Sequence, residues 1–176
     1  MTKNNIALIG MAGVGKSYIG RHLADKLGWS LIDTDDILES QNDADIGNLP
    51  NIIGDEAFIQ LEQQVIIDVA KKSNTVISTG GSVIYSPKAM KALSKTSFIV
   101  YLEDDVEEII SRFTNTRDES FTLIMQKNKS LRELFEERES LYKKYAECTH
   151  RRNRESTAEE EIKNIIKICN IPFPTQ

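Results

Sequence analysis

Gly10-Met11-Ala12-Gly13-Val14-Gly15-Lys16-Ser17 fills every fixed position of the pattern G-x-x-x-x-G-K-[ST]. Glycines in such a loop let backbone N–H groups curl inward around phosphate oxygens, a turn that a Cβ would obstruct. The residues before it, Ile6-Ala7-Leu8-Ile9, form a short apolar run that predicts a buried strand. After it, residues 16–27 place Ile19, Leu23 and Leu27 at helical spacing, and Gly28 supplies a stop. A helix that starts at such a loop aims its positive end at the bound anion. Ala12, Gly13, Val14, Gly15, Lys16, Ser17 and Tyr18 are therefore expected to hold the phosphates of ATP. Lys16 would reach the β- and γ-phosphates and serve catalysis, and the Ser17 hydroxyl would coordinate Mg²⁺.

Outward from the loop, strands and helices alternate. Residues 30–32, 75–78, 97–102 and 147–150 read as further strands, and residues 56–72, 106–113, 131–145 and 159–169 as helices. That order predicts an α/β fold of the P-loop type, with a parallel sheet covered by helices on both faces. Ligands of such sheets bind at the carboxyl ends of strands. Three polar clusters fall there: residues 10–17, 33–36 and 79–82. The stretch 114–128 has no periodicity and reads as a flap over the site.

Length and composition narrow the class. The 176 residues, 40% hydrophobic and 28% charged, suit one domain with one sizeable core. A net charge of −5 argues against a nucleic-acid surface. Residues 112–154 run the other way, with 11 Lys/Arg against 7 Asp/Glu, which reads either as solvated helix faces or as cations for a polyphosphate. No apolar run approaches the roughly 18 residues of a membrane span, and no signal peptide is apparent, so neither membrane nor export is expected. Cys148 and Cys169 lie far apart without metal-type spacing, and each reads as a buried or surface thiol suited to a reducing cytoplasm.

Asp33 and Asp35 flank Thr34 at the end of the second strand. On extended backbone, residues two apart face the same side, so both carboxylates could enter one cleft. One would hold Mg²⁺ through water while the other takes a proton from an attacking hydroxyl. The competing role is helix capping, with Thr34 or Asp35 as the N-cap of a helix over residues 36–40. Gly80-Gly81 after the third strand is either a tight turn or a place where a ligand approaches the backbone.

The phosphate loop, Asp33-Thr34-Asp35, Gly80-Gly81, and Arg138 followed by Leu141-Tyr142 and Ala146 occur in the order found in shikimate kinases. The chain resembles that family over residues 6–168. The resemblance implies a five-stranded parallel sheet, a substrate-binding subdomain about residues 34–62 and a lid about residues 113–128. It also implies transfer of phosphate from ATP to the 3-hydroxyl of shikimate, a cyclohexene carboxylate. By position, Asp33 would support the metal together with Ser17, and Asp35 would orient the substrate hydroxyl and accept its proton. Gly80 and Gly81 would line the substrate site, and Arg138 would pair with the carboxylate. Arg117 would be the lid arginine that closes over the γ-phosphate, and Arg112 and Arg152 would pack the adenine. A small-molecule acceptor and a monomer are expected.

Three positions depart from the family pattern. Ile59 stands where the family carries a substrate-gripping arginine, Ser82 where it carries a third glycine, and Ser140 where it carries a proline. An isoleucine cannot form the bidentate pair of a guanidinium with a carboxylate. Two alternatives therefore stand beside shikimate: a P-loop kinase of another small hydroxylated acceptor, and an ATP-binding protein without acceptor chemistry.

Overall fold

Strand β1 (Asn5–Ile9) is buried along its whole length, because it has a parallel neighbour on each side and helices over both faces. The computed structural model describes residues 3–116, 123–125, 127–153 and 155–170. With β2 (Ser30–Asp33), β3 (Thr75–Ser78), β4 (Ser97–Glu103) and β5 (Cys148–Arg151), β1 forms a five-stranded sheet of order β2-β3-β1-β4-β5. Every pairing in it is parallel. The helices are α1 (Lys16–Leu27), α2 (Thr34–Asn42), α3 (Leu49–Ile53), α4 (Asp55–Val69), α5 (Pro87–Thr96), α6 (Val106–Thr116), α7 (Leu131–Tyr145) and α8 (Ala158–Ile168).

The period-two alternation of β1 divides the core into two. Ile6 and Leu8 join Ile19 and Leu23 of α1 and Ile162 and Ile165 of α8. Ala7 and Ile9 join Phe58 and Ile66 of α4 and Met90 and Leu93 of α5. The sheet order reverses at β1, whose neighbours are β3 and β4, so the crevice for ligands opens at the carboxyl ends of β1 and β3.

Several expectations need correction. The second strand runs one residue further and ends on Asp33, whose side chain caps α2 by accepting from the backbone N–H of Asp35 at 3.1 Å. The cap is therefore Asp33, not Thr34 or Asp35. Asp35 lies in the first helical turn, so the extended-backbone argument for pairing the two carboxylates does not hold. They share the site because a capping residue and the second residue of its helix stay together at one helix end. Helix α4 stops at Val69, short of Lys72. Helix α6 continues to Thr116, into the stretch read as patternless. Helices α3 and α5 were not foreseen, although α5 has clear start signals: Pro87 in its first turn and Ser86 capping Ala89 N at 3.2 Å. The two thiols, far apart in sequence, meet in the fold. The end of α8 returns to β5, and Cys148 Sγ lies 3.1 Å from Cys169 Sγ, both free. No helix among the described residues is long and apolar enough to cross a membrane.

Helix α7 opens on a complete capping box. Ser130 accepts from the Glu133 N–H at 3.2 Å, and the Glu133 carboxylate accepts from Ser130 N at 2.7 Å. Ser130→Ala should lower stability by about 1 kcal/mol, read as an earlier midpoint in urea unfolding. An unchanged midpoint would show that the box contributes nothing.

Candidate active site

The loop between β1 and α1 is braced from outside by two arginines. Arg112 of α6 donates to Gly13 O at 2.8 Å, and Arg152, just past β5, donates to Val14 O at 2.8 Å. Arg152 is itself held by Glu161 of α8 through a 2.9 Å bond, and Arg112 by Asp104. Gly15 has φ of 99°, and a Cβ there would also collide with the Arg152 guanidinium. Backbone conformation and close approach thus both demand glycine at this position.

Lys16 is buried, and its Nζ donates to Gly10 O at 2.8 Å and Met11 O at 3.0 Å. Burial lowers its ammonium to about 8, although Asp35 and Asp33 oppose that shift. Ser17, the next residue on α1, donates to Asp33 Oδ2 at 2.6 Å. The capping role of Asp33 occupies its other oxygen, Oδ1. Asp35 is raised to about 6 by burial first and the neighbouring Asp33 charge second, with Lys16 pulling the other way.

The turn after β3 closes the opposite wall. Gly80 N donates to Thr34 Oγ1 at 3.2 Å, and Tyr142 of α7 donates its hydroxyl to Gly81 O at 2.6 Å. A Cβ on Gly81 would stand 3.1 Å from Arg138 Nη1 and 3.3 Å from Ala12 N. The chain is therefore threaded between α7 and the phosphate loop at this point.

Arg138 is only 1% exposed. Its Nη2 donates to Ile124 O at 2.6 Å, its Nη1 faces Met11 Sδ at 3.8 Å, and its guanidinium lies 5.5 Å from the Tyr85 ring centre. Its Nε has no partner, and among the described residues no carboxylate forms an ion pair with it. A buried cation without a counter-ion is costly, and an anionic ligand would remove that cost.

Lys16, Ser17, Asp35, Gly80, Gly81 and Arg138 all line one cleft of about 270 Å³, the scale of a small-molecule site. Ala12, Gly13, Gly15 and Tyr18 line it too, with Tyr18 mostly exposed. Val14, within the loop, is buried and turned away from the cleft, and Asp33, Arg112 and Arg152 stand beside the loop and do not line the cleft. Arg117 lies outside the described residues. An apolar wall of Pro50 and Phe58, with Leu123 and Ile124 facing the same space, was not anticipated.

Glu62 was also missed as a site residue. It is 1% exposed, accepts from Ser82 Oγ at 2.9 Å through Oε2, and has no partner for Oε1. A glutamate four residues after Phe58, on the apolar face of α4, was the available signal. Its carboxyl crowds the Cα of Gly80, where any Cβ would strike Oε1.

Transfer between two small molecules needs one site for a polyphosphate and another, within the same enclosure, for the acceptor. The loop on β1 and the guanidinium of α7 line one such enclosure, and with the five-stranded parallel sheet they match a small-molecule kinase of the P-loop class. The family model for shikimate kinase matches residues 12–170, and the chain belongs to the shikimate kinase family. A shikimate kinase of Vibrio parahaemolyticus is 37% identical over 156 residues, covering 88% of this chain and 90% of the relative. One from Francisella tularensis subsp. novicida is 35% identical over 163 residues, covering 92% and 90%. Among solved structures, shikimate kinase from Acinetobacter baumannii in complex with shikimate superposes with a TM-score of 0.84 at 30% identity, covering 95% of this chain and 93% of that one.

Burial raises the Glu62 carboxyl to about 8 from an ordinary 4.5, the nearby Asp35 charge adding to the shift and Arg138 and Lys16 opposing it. A carboxyl that must stay protonated to be buried favours the fold most at low pH. Its contribution falls as pH rises toward its folded value. Glu62→Gln, which needs no proton, should therefore gain in melting temperature over the wild type as pH is raised from about 5 to about 8. A constant difference across that range would show that Glu62 is not held neutral.

Proposed function

We propose that the cleft carries out ATP-dependent phosphorylation of shikimate, the activity of the family to which the chain belongs, with the following division of work. Residues 12–18 wrap the triphosphate, and Lys16 places its positive charge where charge builds on the transferring phosphoryl group. Ser17 and Asp33 present two hard oxygens 2.6 Å apart, a donor set that suits Mg²⁺, which takes few protein ligands and fills the rest with water and phosphate. When bound there, Mg²⁺ would neutralise phosphate charge. Asp35, acceptor-facing and with a raised affinity for protons, orients the substrate hydroxyl and takes its proton as the oxygen attacks. Gly80 and Gly81 let the acceptor ring approach the backbone.

One observation carries this reading: Arg138, buried in the cleft wall and without an ion pair among the described residues, is a ready receptor for the carboxylate of shikimate. Arg112 and Arg152 brace the phosphate loop at the outer edge, and packing of adenine against them belongs to the same reading. So does closure of residues 113–128 as a lid that brings Arg117 to the γ-phosphate. Residues 34–62, which hold α2, α3 and the start of α4, would form the acceptor-binding subdomain. Work as a monomer in a reducing cytoplasm completes the proposal.

A coupled assay of ADP release, run with shikimate and a panel of other hydroxy acids, polyols and nucleosides, tests the acceptor. Shikimate should give the highest kcat/KM, and turnover only with another member of the panel would overturn the assignment. In the same assay Lys16→Ala should lower kcat by at least ~10²-fold, as expected for removal of a preorganised charge from the transition state. Asp35→Asn should depress kcat severely while ATP affinity, measured by titration calorimetry, stays close to wild type. A collapse of ATP affinity instead would assign Asp35 to the metal.

A further inference from the structure

Helix α4 forms one wall of the acceptor cleft yet contains no lysine or arginine. Its buried face offers Phe58, which lines the cleft, and Glu62, which lies beneath Gly80. Ile59 turns into the second apolar core and is only partly buried there. Residues three apart on a helix are neighbours, so position 59 is where a cation would reach the Glu62 carboxyl along its own helix. None is present. No ion pair involves Glu62 among the described residues, and the one bond it makes is the 2.9 Å contact from the Ser82 hydroxyl.

Ser82 is 5% exposed, lines the cleft and ends the turn that carries Gly80 and Gly81. We infer that Ser82 is a positioning residue for the acceptor: its hydroxyl, bonded to Glu62, clamps this turn to α4 in place of a cation at position 59. The acceptor anion then meets a single guanidinium, Arg138, from a wall held in register by a serine and a carboxyl. Gly81 transmits the clamp, since it lies against both Arg138 Nη1 and the phosphate loop. Without the hydroxyl, Glu62 would be buried with neither oxygen partnered, and the turn would relax away from it. The specificity this implies is for a compact hydroxylated monocarboxylate whose remaining surface tolerates the apolar side of α4. A second anionic group directed at α4 would find no counter-charge there.

This inference rests on the proposed shikimate chemistry, and a double-mutant cycle separates the two. Wild-type turnover of shikimate is the reference, and its absence would overturn the activity reading. Ser82→Ala should raise the KM for shikimate about ten-fold, the scale of one buried hydrogen bond. It should leave kcat within about three-fold and the KM for ATP unchanged, because a clamp on the acceptor wall acts on acceptor binding. Ile59→Arg supplies Glu62 with a guanidinium, so Ser82→Ala made in that background should cost about two-fold or less. Melting curves of all four proteins run alongside. They should show the same pattern, with Ser82→Ala lowering the melting temperature more in the Ile59 background than in the arginine one. That pattern tests the clamp even without turnover. An equal penalty for Ser82→Ala in both backgrounds, or a KM within two-fold of wild type, would overturn the inference. A fall in kcat with KM held would overturn it too, since Ser82 would then act on the chemical step.

Discussion

Two cations withdrawn from water govern this molecule. Lys16 and Arg138 are both buried in the walls of one cleft, and among the described residues neither forms an ion pair. Their charges are tolerated because backbone carbonyls solvate them: Gly10 and Met11 for the lysine, Ile124 for the arginine. Carbonyl dipoles offset only part of the desolvation cost of a full charge. The remainder is available to any ligand that brings negative charge to both positions, which is what a triphosphate and a carboxylate do together.

Everything near the cleft can be understood as keeping those two charges in place. The loop that holds Lys16 is tied through its carbonyls to Arg112 and Arg152, and Arg152 in turn is tied to a buried glutamate of α8. Helix α7, which presents Arg138, is anchored by the bond from Tyr142 to Gly81 and by stacking of Tyr142 on Tyr101 of β4 at 5.1 Å. Gly81 sits where the two systems meet, in contact range of both the loop and the arginine. A shift of α7 would therefore be felt at the phosphate loop, both through Gly81 and through the 3.8 Å approach of Arg138 Nη1 to Met11 Sδ.

The carboxylates are arranged by the same logic. Asp33 divides its oxygens, one to cap α2 and one to Ser17, so a local folding device and a metal-type donor pair are the same side chain. Asp35 and Glu62 lie deeper and are both shifted toward the protonated form, chiefly by burial. Three acidic groups in so small a volume could not all be charged together with low cost. Spreading them between a helix cap, a cleft wall and a hydroxyl-bonded pocket keeps their repulsion small.

The phosphate loop, the alternation that makes a parallel sheet, and the family were legible in the sequence because each depends on local rules. Glycine spacing is dictated by backbone reach around phosphate, and strand and helix periods by which face is buried. Helix α7 and strand β3 could be placed to the residue for that reason. What depends on residues distant in sequence could not be read. Ser82 and Glu62 are 20 positions apart, and no pattern along the chain says that one bonds the other. The braces Arg112 and Arg152, the lack of an ion pair to Arg138 among the described residues, and the contact of Cys148 with Cys169 follow from how α6, α7, β5 and α8 pack on the sheet. Even the pairing of Asp33 with Asp35, expected from an extended strand, is set by a helix that begins two residues sooner, at Thr34. Local propensity chose the elements; burial of two apolar cores against one sheet chose which polar groups were left to face each other.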